Sequence, residues 1–236
     1  MMKSSVFGAA QTFNRLRSTL NTGAVHAGAR QPFKFLLCGD HGLLAAFRAL
    51  ILAGTGSDTI PLDAAAALET IAPGGAPVDP TDARAILFFG NLSDRAGARL
   101  DELASLKLPI LAVLVDPGAT ATSGPAQAPG PRAIEDYVVP AMEFEWLRAR
   151  VLPHLIETCK GVEIAVGRRL PTLRTTVAAK LTRDAALNAL KVAGASALND
   201  NVPVVGVFLG AGISAGDMMA ITGIQMMLML QIRATF

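Results

Sequence analysis

Residues 39–47, GDHGLLAAF, follow the apolar run FKFLL and carry the strongest hint of chemistry in the chain. A strand, a glycine-bracketed loop and a helix start are the layout of a phosphate-binding loop, G-x-x-x-x-G-K-[ST]. In such a loop backbone N–H groups cradle the phosphates, the lysine reaches the β/γ-phosphates and the Ser/Thr holds Mg²⁺. Counted from Gly39, Leu44 takes the place of the second glycine, Ala45 that of the lysine and Ala46 that of the Ser/Thr. Gly42 is out of register, and Lys34 precedes the loop on the strand. A helix N-terminus with its backbone donors remains, but Asp40 brings a like charge to any phosphate there. Gly39, Asp40, His41 and Gly42 are therefore expected to make a tight strand-to-helix turn that has lost the chemistry of a nucleotide loop. No cofactor is expected, and GTP held by a divergent loop is the alternative.

The other chemistry-bearing residues do not assemble into a motif. Asp79, Asp82 and Asp94 flank the second apolar run without the glycine of a D-x-x-G loop. Asp116 ends the third, where open α/β sheets bind ligands, but Val115-Asp116-Pro117-Gly118 replaces the Asn-Lys-x-Asp of a guanine-reading loop, so Asp116 reads as a turn residue. His26, His41 and His154 lack zinc-type spacing, and neither His41 nor His154 has an identifiable nucleophile. Cys38 and Cys159 sit in apolar contexts and read as reduced core residues. No catalytic residue and no metal site are expected.

These residues are positioned by apolar runs. Residues 33–38, 85–89 and 110–115 are continuous apolar segments, the pattern of parallel strands buried on both faces, and 137–139 is a fourth, shorter one. Between them, 43–53 and 93–106 read as helices, and 63–71 as a short helical piece. Apolar residues at 144, 147, 151, 155 and 159 predict an amphipathic helix. Strands alternating with helices imply right-handed crossovers and a parallel sheet. The stretch PGATATSGPAQAPGPR, 117–132, has almost nothing to bury and reads as a mobile surface loop. Residues 4–20 have apolar residues near helical spacing: a helix packed on the main domain, or a basic amphipathic segment on a membrane.

Beyond Gly161 the strands stop. Helices are expected at 162–170, from Pro171 to about 181, and at 183–198, ended by the Asn-Asp-Asn turn at 199–201. Residues 202–216 and 218–232 are apolar but each is shorter than the ~20 residues of a membrane span. Gly216 suits a helix C-cap and Asp217 the next N-cap, which predicts an apolar helical hairpin. Gly206, Gly210, Gly212 and Gly216 allow close approach on its first arm. Five methionines fill the second arm with adaptable apolar bulk. Such a hairpin is either buried in a bundle or oligomer interface, or inserted shallowly in a membrane. Arg168, Arg169, Arg174, Lys180, Arg183 and Lys191 on the preceding helices suit an anionic membrane surface, or form a solvated face.

Bulk properties bound the function. The 236 residues carry a net charge of +2 and 5% aromatics, which argues against a nucleic-acid partner. Apolar residues make up 51% and the mean hydropathy is +0.42, high for a soluble protein. The start MMKSSVFGAAQTF lacks the long apolar run of a secretory signal, so a cytoplasmic location, or the cytoplasmic membrane face, is expected.

The order of strand, P-loop-like turn, two further apolar strands and YVVPAM with EFEWLRARVLPHL resembles the skeleton of an Era-like small GTPase domain without its nucleotide-contacting motifs. The C-terminal third, RRLPTLRTTVAAKLTRDAALNALKVAGASAL with PVVGVFLGAGISAGDMMAITGIQMMLMLQI, is similar to the hydrophobic helical domain of YcjF-like bacterial proteins. The matching positions are Arg169-x-Pro171-x-x-Arg174, Ala186, Asn188, Pro203, Gly206, Gly216-Asp217 and Ile224-Gln225, over about 70 residues. The resemblance implies an α/β fold, a reduced P-loop GTPase-like parallel sheet, followed by an all-α domain with an apolar hairpin. The expected parts are an amphipathic helix in 1–30, a degenerate GTPase-like domain in 31–160 and a YcjF-like helical domain in 161–236. It also implies association with the cytoplasmic face of the inner membrane. The expected function is a non-catalytic, membrane-associated scaffold or assembly subunit that meets a protein partner, or a second copy, through Phe208, Gly212, Asp217, Met218, Gln225, Met226 and Met229. The alternatives are a guanine-nucleotide switch and a soluble homo-oligomer that buries its hairpin.

Overall fold

The computed structural model describes residues 22–53, 61–71, 79–91, 103–119, 126–127, 134–200 and 206–236, with side-chain surroundings given outside 126–127, 194–200 and 206–219. The helix expected at 4–20, Asp94 and most of the helix expected at 93–106 lie outside these residues. The chain divides into two compact units. One is Gly28–Val177 with Thr235–Phe236; the other is Ala178–Ala234 with the described residues up to Ala27.

The first unit is built on one sheet of six strands: β1 Lys34–Gly39, β2 Leu68–Thr70, β3 Ala83–Asn91, β4 Ile110–Val115, β5 Ala126–Gln127 and β6 Ile134–Val139. Their order is β2-β1-β3-β4-β6-β5. The first five in that order run parallel, and β5 pairs antiparallel with β6 at the edge. The apolar runs lack alternation because both faces are covered: Phe35, Leu36, Leu37 and Cys38 are all fully buried, as are Ile86 and Leu87. Leu36, Cys38, Ile86, Phe88, Ala112 and Leu114 cluster with Leu103 and Ala104. Phe89 instead meets Phe47, ring centroids 4.7 Å apart, and Phe47 belongs to the helix that follows β1.

Helix α1 spans Thr22–Gly28 and α2 His41–Leu52. Helix α3 covers 144–158, with a π-helical turn at Leu147–Val151. Pro153 explains that turn: it has no N–H to give the carbonyl four residues back, and the ladder opens just before it. The apolar spacing read at 147, 151, 155 and 159 is the face α3 buries; Leu147, Val151, Leu155 and Cys159 are all fully buried. Helix α4, Glu163–Arg169, and a 3₁₀ turn, Pro171–Leu173, follow. They belong to the sheet's unit, which therefore runs past Gly161 to Val177. Thr172 ties them in: its buried hydroxyl donates to the Ile51 carbonyl at 2.7 Å, near the end of α2.

Four expectations are corrected. The helical piece at 63–71 is a 3₁₀ turn, Ala65–Ala67, leading into β2. Leu68 is buried and Glu69 faces out to meet Lys34 on β1, Nζ to Oε2 2.7 Å, so pairing with β1 overrides the local helical spacing. The surface loop at 117–132 contributes the edge strand β5. The two helices expected between Pro171 and 198 are one, α5, Arg174–Asp200. Nothing between Leu181 and Arg183 interrupts it, and Thr182 donates to the Ala178 carbonyl within the ladder at 2.8 Å. The hairpin is likewise one helix, α6, Gly206–Thr235, continuous through Gly216 and Asp217. In a helix interior glycine costs about 1 kcal/mol and Asp less than glycine, and only a proline forces a stop.

Candidate functional site

The turn between β1 and α2 is a single residue, Asp40. Gly39 has φ +117°, and a Cβ built on it would lie 1.8 Å from the Phe89 carbonyl oxygen. The backbone of β1 thus presses against the neighbouring strand at the point where a phosphate loop would swing outward. The Asp40 N–H donates to that same Phe89 oxygen at 2.8 Å. Its carboxylate accepts from the Leu43 N–H at 2.9 Å, capping α2. The Asp40 and Leu43 amides are therefore taken up by the protein. His41 and Gly42 are exposed in the first turn of α2, and Leu44, at the second-glycine position, packs into the core at 5% exposure.

The strand order places the topological switch point between β1 and β3, and open sheets bind ligands beyond the strands' carboxyl ends there. The described groups at that end make local turns. Asp116 accepts from the Gly118 N–H at 2.9 Å and donates its own N–H to the Val139 carbonyl at 2.9 Å, the turn role read from sequence. Lys34 stands at the opposite end of β1, where its hydrogen bond to Glu69 holds its ammonium pKa above the ordinary value. Asp79 also sits at the amino end, leading into β3. Hydrogen bonds from Thr81 hold its carboxyl below the ordinary value.

Sequence reading found no partner for His154; the structure supplies two. Its Nδ1 lies 3.6 Å from the Glu135 carboxylate, and its ring is 5.3 Å from that of Tyr137. The Tyr137 hydroxyl donates to the same carboxylate. Burial first, and then that hydrogen bond, push the Tyr137 hydroxyl well above its ordinary pKa. His154 and Glu135 are about half exposed, and the cluster links α3 to β6. Cys38 and Cys159 are thiols buried in the core and not joined in a disulfide, as read from sequence. Among the described residues no group of His, Cys, Asp and Glu could hold a metal ion.

Three of the six basic residues read along 168–191 gather at one place in the first unit. Arg168, Arg169 and Arg174, joined by Arg30, line a cavity of about 480 Å³ beside the segments leading into β1 and β2. The Arg169 guanidinium is fixed: Nε is 2.8 Å from Asp63, and its plane lies 5.0 Å from the Phe33 ring. Arg174 is buried, donates to the Gly167 carbonyl at 3.3 Å and lies 5.4 Å from the Phe236 ring. Lys180 and Arg183 stand apart on α5, where Asp184 lies within 2.6 Å and 3.9 Å of them. Arg30 and Asp63 were not singled out by sequence reading; both come from segments far from α4 in the chain.

The interaction candidates all fall on α6. Phe208, Gly212, Asp217 and Met218 are in its first half, where only the backbone is described. In the second half Gln225 and Met229 are exposed, Met229 at 70%, and Met226 is partly buried. On α5, Leu187 and Leu190, one turn apart, are also exposed. No helix among the described residues is long and apolar enough to cross a membrane.

Comparison with protein-family models, with curated proteins and with solved structures returns no match.

Proposed function

We propose that this chain is a non-catalytic scaffold or assembly subunit that associates with the cytoplasmic face of a membrane. Its parallel sheet is the remnant of a GTPase-like domain, and it takes no nucleotide at β1–α2. The observation that carries this reading is the one-residue turn at Asp40, with Gly39 against the Phe89 carbonyl and the Leu43 amide already capped. A phosphate cradle needs several consecutive free amides and a lysine; residues 39–47 hold no lysine, and the Asp40 and Leu43 amides are engaged. The exposed Leu187, Leu190 and Met229 support the partner-binding half of the reading, since large apolar side chains exposed along helices suit a contact surface. The similarity of the C-terminal third to YcjF-like proteins supports the membrane association. The partner is a protein or a second copy of the chain, met through α6.

Thermal unfolding with GTP, GDP or ATP, each with and without Mg²⁺, tests the central point. A ligand at 100 times its dissociation constant adds about 2.7 kcal/mol to stability. The reading expects no shift that both requires Mg²⁺ and separates guanine from adenine nucleotides; such a shift overturns it. Sedimentation with vesicles of phosphatidylcholine and phosphatidylglycerol tests the membrane half, with co-sedimentation expected.

A further inference from the structure

The arginine cavity lies at the amino end of the strands, away from the crevice in which such sheets bind ligands. We propose that it is a binding site for the phosphate group of a phosphomonoester, with Arg30 and Arg168 as direct ligands and Arg169 held ready by Asp63. Four arginines face one aspartate around a single cavity. Collecting guanidinium groups in one pocket costs Coulomb energy that an anion reverses. Arg168 and Arg169 occupy the last turn of α4, where a cation complements the helix dipole. That explanation does not reach Arg30, which precedes β1. Its convergence with the α4 pair points to a common anionic ligand.

The geometry favours a phosphate ester over other anions. Planar guanidinium groups match phosphate oxygens in paired hydrogen bonds, and a dianion answers this excess of charge better than a carboxylate does. Among the described residues neither Arg30 nor Arg168 has an ion-pair partner. Both are available to a ligand, while Asp63 and the Phe33 ring fix Arg169. A cavity of about 480 Å³ falls in the usual range of small-molecule sites and holds more than a bare phosphate. The Phe236 ring offers an apolar wall for the organic part. It is seated by Thr235, whose methyl fills the space beside Gly167; a Cβ there would meet it at 2.2 Å.

The test uses the whole chain. Inorganic phosphate and pyrophosphate are titrated at constant ionic strength against chloride, with melting temperature and calorimetric affinity as readouts. In parallel, the protein is sedimented with vesicles of phosphatidylcholine doped with phosphatidic acid, whose headgroup is a phosphomonoester, and with phosphatidylcholine alone. Saturable binding is expected in at least one arm. It should weaken about tenfold or more in Arg30→Gln/Arg168→Gln and stay unchanged in Arg148→Gln, an exposed α3 arginine outside the cavity. The double variant should melt as the parent does without ligand, since both residues are exposed. Binding of the phosphate salts alone marks a soluble ligand, and binding of phosphatidic acid vesicles marks a lipid headgroup. Absence of binding in both arms, or binding that the double variant keeps, overturns the proposal. A nucleotide-induced shift that ignores Mg²⁺ and base identity and is lost in the double variant belongs to this cavity, not to β1–α2.

Discussion

Replacing Gly39 by alanine separates two ways in which a glycine can be required. At φ +117° any other residue is strained, by about 1–3 kcal/mol. The second effect is the collision. The new Cβ would lie 1.8 Å from the Phe89 oxygen, a backbone atom that no side-chain rotation moves. Relief requires β1 and β3 to part by more than an ångström at the Gly39–Phe89 pair. The Asp40–Phe89 hydrogen bond of 2.8 Å and the end of that ladder are then lost, at about 1 kcal/mol each. The total is about 4 kcal/mol. Gly161, at φ +84° with nothing within 4 Å of its would-be Cβ, supplies the control: Gly161→Ala suffers strain alone, about 1–2 kcal/mol. The chain has one tryptophan, Trp146 on α3, so its fluorescence in urea reports the sheet's unit. With a slope of about 2 kcal/mol per molar urea, Gly39→Ala lowers the midpoint by about 2 M and Gly161→Ala by less than about 1 M. Equal losses from the two substitutions would refute the account of why this turn lies flat against β3.

Two further outcomes follow from the same unit. Tyr137 is the chain's one tyrosine, so tyrosinate absorbance reads it alone. Unfolded, its hydroxyl ionises near the ordinary value of 10.0, and folded, above it. The folded chain therefore holds the proton longer, and stability is unaffected below about pH 10. Above that it falls by up to about 1.4 kcal/mol per pH unit. Tyrosinate absorbance that rises near pH 10 while Trp146 still reports a folded unit contradicts this. Thr172→Val removes the buried hydroxyl that donates to Ile51 and leaves that carbonyl without this partner, at about 1–2 kcal/mol in urea unfolding. Thr182→Val, on the exposed side of α5, changes stability by less than half of that, and equal losses would show that the link from 3₁₀ turn to α2 carries no stability.

How much was legible depended on what each segment buries. The three runs at 33–38, 85–89 and 110–115 announce themselves because every side chain in a strand covered on both faces must be apolar, and Phe35, Ile86 and Val113 are indeed fully buried. In β2 only Leu68 is buried, and its two exposed neighbours are chosen by contacts with β1 that no local pattern displays. The two-residue β5 in its proline- and glycine-rich surroundings carried still less. The helix break at 216–217 was read from residues that favour caps, and the one at 182 from the apolar spacing on either side. A cap preference is about 1 kcal/mol, within reach of the ladder of a long helix, and neither site holds a proline. The turn at 39–42 was legible as a tight strand-to-helix turn, from the glycines between an apolar run and a helix start. The close approach to Phe89 depends on strand register and was not. Three of the cavity's arginines were visible as basic residues of one stretch, but a linear reading assigned them to a surface. Arg30 and Asp63 reach them through the fold alone.

The two ends of the sheet make opposite choices. At the carboxyl end, Asp40 spends its carboxylate on the Leu43 amide and its own N–H on the Phe89 oxygen, while Asp116 does the same with Gly118 and Val139. Each of these two acidic side chains satisfies a backbone donor, so the Leu43 and Gly118 amides are occupied by the protein's own carboxylates. At the amino end the one acidic side chain lining the cavity among the described residues, Asp63, fixes one arginine, while Arg30 and Arg168 have no carboxylate side chain paired with them among the described residues. Like-charged guanidinium groups in one cavity repel one another, a cost that a bound anion reverses. That arrangement is what an anion site requires, and it makes the amino end of the sheet the place to look for this unit's ligand.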